Sequence, residues 1–304
     1  MGMVKAYILN VNRLKSLRSI GWFSALLLLP LGVALAASPG RVEKTLTYQT
    51  NLNPRITVYN LDGHVLVRAW DKAQVHAVFA TSSPRVTFET DPLPVSGSTD
   101  RLRLVTHVQD PLLTGQDAAA DYTLDVPSES SVEIRNRQGL VRIEKLTGDI
   151  WIESVGGNVV VADTAGHLAV RTIGGDIEVI RSAGRVEVSS VTGNLHFLAT
   201  RSSKLHANTT SGKITNEGDF APGGDYVFSE YSGEMEIICP ADSAFDLNTR
   251  SIRGKVFKDP EFSLFSPKTR SNSMPGNANS LRVPGKAMLE LTSFSGNIRI
   301  RHQQ

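Results

Sequence analysis

Asp176 and Glu178 lie two positions apart, a spacing that places both carboxylates on one face of an extended strand. Two acids flanking a glycosidic bond would suit carbohydrate cleavage. The equivalent outward positions along the chain read Arg142, Val160, Glu178, His196, Thr215 and Glu236, so Glu178 has no acidic neighbour in its row. Glu236 is three repeats away, and the two acids read as solvated surface groups. The seven histidines are dispersed, and His196 and His206 have no acidic ligand at helical spacing. Gly-x-Ser-x-Gly, Gly-x-Gly-x-x-Gly, phosphate-loop and His-Glu-x-x-His patterns are missing from the sequence. A single cysteine excludes an intrachain disulfide, a Cys-based zinc site and an iron–sulfur cluster. That residue, Cys239, has inward parity in Met235-Glu236-Ile237-Ile238-Cys239 and reads as a small core side chain. Trp151 has outward parity and is a candidate binding residue, either as a sugar-stacking platform or packed beneath the N-terminal section. The expectation is a non-enzymatic chain without cofactor or metal.

Charge narrows the partners. The formal net charge is +2, but Lys5, Arg13, Lys15 and Arg18 all fall within residues 1–36, which hold no acid. The remainder carries 28 basic against 30 acidic residues, a net of −2, which argues against nucleic acid as a partner. The basic start is followed by the apolar run Ile20–Ala37, with four leucines at 26–29 and the small-x-small site Ala34-Leu35-Ala36. This is the pattern of an export signal over 1–36, cleaved to leave Ala37 first. An uncleaved anchor is the alternative, since about 18 apolar residues can just span a bilayer. Membrane contact is expected only in that case. Both readings place the rest of the chain outside the cytoplasm, periplasmic or secreted.

The elements that must position any surface are set by a repeat. Glycines recur every nine residues at 139, 148, 157, 166, 175, 184 and 193. The second and fourth residues after each are apolar, as in Val159 and Val161 or Ile177 and Val179, with mostly polar or small residues between. Such alternation in β-branched residues predicts strands with one buried face, separated by turns in which glycine supplies unusual backbone angles. Two turn types alternate: Glu153-Ser154-Val155-Gly156-Gly157, Arg171-Thr172-Ile173-Gly174-Gly175 and Ser189-Ser190-Val191-Thr192-Gly193 on one side, Lys145–Gly148, Asp163–Gly166 and Arg181–Gly184 on the other. The true repeat is therefore eighteen residues and two strands. The first type continues at Gly212, Gly233, Gly254 and Gly296. Recurrence of one turn type every second strand predicts coils stacked about 4.8 Å apart, a β-solenoid over 131–304. Eight such coils would make a rod of about 40 Å. Ser154, Thr172, Ser190 and Thr209 share one position and predict a hydroxyl ladder. The turns lack the Gly-Gly-x-Gly-x-Asp pattern of calcium-binding β-rolls.

Residues 37–130 predict a β-rich N-terminal section, either a cap or wider irregular coils. Strands are expected at 55–59, 64–68, 74–80, 85–89, 101–108 and 121–126, with a loop over Asp91–Asp100. A second irregular stretch, 259–286, interrupts the solenoid before a last coil at 287–300. It carries Phe262, Leu264 and Phe265 beside Lys258, Lys268 and Arg270, and these three apolar residues are candidate binding residues.

The opening Asn60-Leu61-Asp62-Gly63-His64-Val65-Leu66-Val67, the [Ser/Thr]-x-[Gly/Ser/Thr]-Gly-[Asp/Asn]-[Ile/Val] repeats and the closing Met288–Ile300 segment resemble the DUF4097 family. Members are called candidate adhesins or β-strand repeat-containing proteins, and the similarity spans most of residues 42–300. The resemblance implies an exported β-solenoid and supplies no catalytic residue. The function expected is an adhesin-like or interaction protein of the cell envelope, with an envelope protein or polysaccharide as partner. A self-assembling scaffold and a carbohydrate-active solenoid enzyme are the alternatives.

Overall fold

The structure is a computed structural model that describes residues 40–94, 97–110, 112–259 and 286–303. The expected export signal and the segment holding Phe262, Leu264 and Phe265 lie outside the described residues. The described chain is all-β apart from one short 3-10 turn at Gly115–Asp117.

The N-terminal strands are β1 (Val42–Tyr59), β2 (Val65–Trp70), β3 (Gln74–Thr81), β4 (Val86–Leu93), β5 (Thr99–Val108) and β6 (Asp121–Pro127). The regular repeat follows as β7 (Ser131–Asn136), β8 (Val141–Glu144), β9 (Ile150–Ser154), β10 (Val159–Ala162), β11 (His167–Thr172) and β12 (Ile177–Ile180). It continues as β13 (Arg185–Ser190), β14 (Leu195–Leu198), β15 (Lys204–Thr209), β16 (Ile214–Glu217), β17 (Asp225–Glu230) and β18 (Glu234–Cys239). The last four are β19 (Phe245–Ser251), β20 (Val256–Lys258), β21 (Ala287–Ser293) and β22 (Asn297–His302).

From β7 onward, odd-numbered strands form one sheet and even-numbered strands a second, so each turn of the chain gives one strand to each. Pairing is parallel between successive turns. In the second sheet Val159 is opposite Ile177, Ile177 opposite Leu195 and Leu195 opposite Ile214. In the first, Ile150 is opposite Leu168 and Val186 opposite Leu205. All of these side chains are buried between the sheets. Each contributes roughly 1.5–3 kcal/mol of burial, the term that offsets the cost of ordering so regular a backbone.

The order of turns in space departs from the order in sequence at both ends. The β1–β2 turn lies between β5–β6 and β7–β8. At the other end β21–β22 is inserted between β17–β18 and β19–β20. The segment at 287–300 is thus last in the chain and next to last in the stack, a correction to the sequence expectation. Long β1 serves both sheets: residues 42–49 pair antiparallel with β3, and 55–59 pair parallel with β5 and β7. The loop expected over Asp91–Asp100 starts later, because Asp91, Pro92 and Leu93 pair antiparallel with Arg103, Leu102 and Arg101. Aromatic clusters fill the sheet interface at either end: Phe79, Phe88 and Tyr122, and Phe220, Tyr226 and Phe245.

The reason for glycine differs between the two turn types. At Gly157, Gly175, Gly193, Gly212 and Gly233 the backbone is not left-handed; a Cβ would land on the carbonyl of the glycine one turn earlier in the stack. Close approach, rather than unusual angles, excludes a side chain there. In the other turns the left-handed residues include Gly166 and Gly184, and also the non-glycines Lys145, Asp163, Arg181 and Ala199. Side chains finish the turns. The Gly157 N–H donates to Ser154 Oγ at 3.2 Å, and the Gly193 N–H to Ser190 Oγ at 2.8 Å. The hydroxyl column therefore works mainly within its own turns, with bonds between turns from Thr172 to Ser190 Oγ at 3.0 Å and from Thr209 to Gly193 O at 3.3 Å. The residue after glycine caps the next turn: Asp176 N–H donates to Asn158 Oδ1 and Asn194 N–H to Asp176 Oδ1. Asp176 is thus occupied in holding the stack.

Candidate binding surface

The first turn type builds a continuous exposed edge. The residue after the turn's Ser or Thr (Glu230 in one turn) projects outward, apolar in most turns and Thr210 in one, and backbone hydrogen bonds fix its position. Gly174 N–H donates to Val155 O, Thr192 N–H to Ile173 O and Ser211 N–H to Val191 O, each at 2.9 Å. Further along, Ser295 N–H donates to Tyr231 O and Arg253 N–H to Phe294 O. Val155, Ile173, Val191, Tyr231 and Ile252 are exposed, by 46, 55, 45, 56 and 55%. Tyr231 and Phe294 stack with ring centroids 4.6 Å apart, and Arg253 lies 5.0 Å over Phe294. The large aliphatic side chains in these turns leave about half of their surface to solvent. Their signal in the sequence is an apolar residue at a fixed place in three successive turns, between a hydroxyl and a glycine, where the strand pattern asks for none.

At the N-terminal end this edge borders a groove of about 610 Å³. One wall is the row Tyr59, Arg135, Glu153 and Arg171 on the outer face of the first sheet; the other contains Leu61, Arg137, Val155 and Ile173. Arg135 lies 5.5 Å over Tyr59 and contacts Glu153 at 3.3 Å and Glu133 at 3.1 Å. Arg137 holds nearly buried Asp62 with two bonds, at 2.9 and 3.0 Å, and donates to Leu113 O at 3.0 Å. Its hydrogen bond to Asp62 raises the guanidinium further above its ordinary range. Arg171 lies 5.0 Å over Trp151 and has no carboxylate partner among the described residues.

Trp151 is half-buried on the outer face of β9, with Glu133 and Ala169 opposite it on either side. The structure therefore places one of the four expected binding residues on a described surface and brings it beside a groove the sequence did not indicate. Cys239 is fully buried, as its parity required, and burial pushes its thiol up to about 12.

Two further polar clusters lie on the outer face of the second sheet. His196 sits 3.6 Å from Glu178 and 3.7 Å from Glu217. Glu236 is bonded by Lys213 at 2.5 Å and by Arg301 at 2.7 Å, which hold its carboxyl below the usual range. Among the described residues no group of three or more His, Cys, Asp or Glu side chains is arranged to hold a metal ion. Among the same residues no helix is long and apolar enough to cross a membrane.

No protein-family model matches the chain, and no curated protein matches it. Solved structures similar to it include a candidate adhesin from Bacteroides fragilis NCTC 9343, 14% identical, with a TM-score of 0.46, covering 85% of this chain and 97% of that one. A candidate lipid-binding protein from Parabacteroides distasonis ATCC 8503 is 12% identical with a TM-score of 0.39, covering 86% and 97%. A candidate cell adhesion protein from Clostridium sporogenes ATCC 15579 is 8% identical with a TM-score of 0.33, covering 86% and 99%.

Proposed function

We propose that the protein is an exported, non-enzymatic interaction protein of the cell envelope, an adhesin-like solenoid that binds its partner along the turn edge. The observation that carries this reading is the run Val155, Ile173 and Val191, with Tyr231 and Ile252 beyond the exposed Thr210, on a backbone locked by hydrogen bonds. Val155, Ile173 and Val191 form contiguous apolar surface, which marks an interaction site more often than scattered exposed residues do. Export is supported by the charge and apolar pattern of residues 1–36. Membership of the DUF4097 family belongs to the same proposal and rests on the motifs ending at Ile300.

Saturable binding of the labelled protein to isolated envelopes tests the reading. Val191→Ser, Tyr231→Ser and Ile252→Ser combined should abolish binding while the melting point is retained. Non-saturable binding, or binding unchanged in the triple variant, would overturn it. A second reading, end-to-end self-assembly, is favoured by β20, where Val256 and Phe257 are exposed and β22 is the only paired strand among the described residues. Sedimentation mass rising with concentration would support that reading.

A further inference from the structure

The groove at the N-terminal end of the turn edge sets three arginines, Arg135, Arg137 and Arg171, beside branched aliphatic side chains. We propose that it binds a single-chain anionic amphiphile, with the head group on Arg171 and the aliphatic chain against Leu61, Val155 and Ile173. The inference rests on the reading of the turn edge as a binding surface and names the ligand class of one part of it.

Charge accounting places the head. Asp62 is taken by Arg137 through two bonds, and Glu153 shares Arg135 with Glu133. Arg171 is the groove arginine left without an anion among the described residues, and a guanidinium offers forked donors suited to carboxylate or phosphate. The lining selects against sugars. Sugar rings stack on open aromatic faces, and here Arg135 lies over Tyr59 and Arg171 over Trp151. The remaining wall is branched aliphatic, with Val155 and Ile173 about half exposed, the surface an alkyl chain would cover. Arg137, in the groove lining, is also held by the Leu113 carbonyl. The exposed turn row leaves the groove open toward Val191.

The test is isothermal titration calorimetry of the protein as recovered from the expressing cell. The probe is dodecyl phosphate below its micelle concentration. Saturable binding is expected, with dodecanol and inorganic phosphate each at least about tenfold weaker, as loss of a charge-assisted contact or of the chain requires. Arg171→Gln should weaken dodecyl phosphate by about tenfold or more. Arg250→Gln, the same change at the far end of the same row, should leave it unchanged. Dodecanol or inorganic phosphate binding as well as dodecyl phosphate, equal effects of the two arginine variants, or no saturable binding would overturn the proposal. If dodecyl phosphate fails to bind while the Val191, Tyr231 and Ile252 variant still loses envelope binding, the ligand class falls and the surface reading survives.

Discussion

Gly174 and Gly175 are adjacent, identical in composition and opposite in what they tolerate. A methyl group on Gly175 would lie 2.6 Å from the Gly157 carbonyl carbon, closer still to its oxygen, and 3.2 Å from the Asn158 nitrogen. A methyl on Gly174 would meet nothing nearer than Thr192 Oγ1 at 3.6 Å and Val155 O at 3.8 Å, ordinary contacts. Relieving the first clash requires the two turns to separate by more than about 1 Å, against a normal spacing of about 4.8 Å. The bonds that join them there are Gly174 N–H to Val155 O at 2.9 Å and Val159 N–H to Asp176 O at 2.8 Å. Stretched by that amount, neither survives, and each stranded group costs about 1–3 kcal/mol. Gly175→Ala should therefore cost about 2–6 kcal/mol, a large share of a typical domain stability of roughly 5–15 kcal/mol. Gly174→Ala should be neutral or stabilising by up to about 1 kcal/mol, because it restricts the unfolded chain without straining the folded one. Urea denaturation of the two variants measures the difference. Equal midpoints would refute the argument that close stacking, rather than turn conformation, fixes the glycine column.

Three further outcomes follow from particular side chains. Ile177→Asp places a charge between Val159 and Leu195 in the core and should cost several kcal/mol. Glu178→Ala on the outer face should change stability by less than about 0.5 kcal/mol, and similar melting points would contradict the register. Glu230 takes the place that Ser or Thr holds in other turns, wedged between Gly233 and Gly296, and neither carboxyl oxygen has a donor in hydrogen-bonding geometry among the described residues. Burial pushes its carboxyl up, offset only partly by the Ser293 hydroxyl, so the folded state holds the proton to higher pH than the unfolded chain. Its contribution to stability is present below the ordinary value of 4.5 and is lost as pH rises through the folded-state value. Glu230→Ser should raise the melting point more at pH 7 than at pH 4, and an equal gain at both would exclude the linkage. N-terminal sequencing of envelope material should begin at Ala37, whereas an intact Met1 in the membrane fraction would establish an anchor.

What the sequence made legible was whatever the eighteen-residue period controls. Val159, Ile177 and Leu195 had to stack because each recurs at the same distance from a turn glycine. The inward place of Cys239 followed from the same parity. The position of β21–β22 in the stack did not, since the spacing from Gly254 to Gly296 counts residues and cannot say which neighbour each turn chooses. Gly296 lies against Gly233, and Gly254 against Gly296, a long-range choice made by packing. β1 was half legible: Arg55–Tyr59 alternates as a strand should, but its first half belongs to the other sheet and carries no glycine mark. The groove was illegible because Tyr59, Arg135 and Arg171 come from three turns, two of them separated by more than seventy residues, and are aligned only by strand register.

The stacking order is open to one direct measurement, pulsed electron paramagnetic resonance with spin labels on the outer row of the second sheet. Cys239 is replaced by Ser in the background, and one label stays at Arg142 while the second is placed at Thr215, Arg299 or Phe257. Register puts these residues four, six and seven strands away, at about 19, 29 and 34 Å before label offsets. The prediction is that Phe257 reports a longer distance than Arg299, although it precedes Arg299 in the chain by 42 residues. A shorter distance to Phe257 than to Arg299 would contradict the inserted turn, and distances that do not increase from Thr215 to Arg299 would contradict the stacked rod itself.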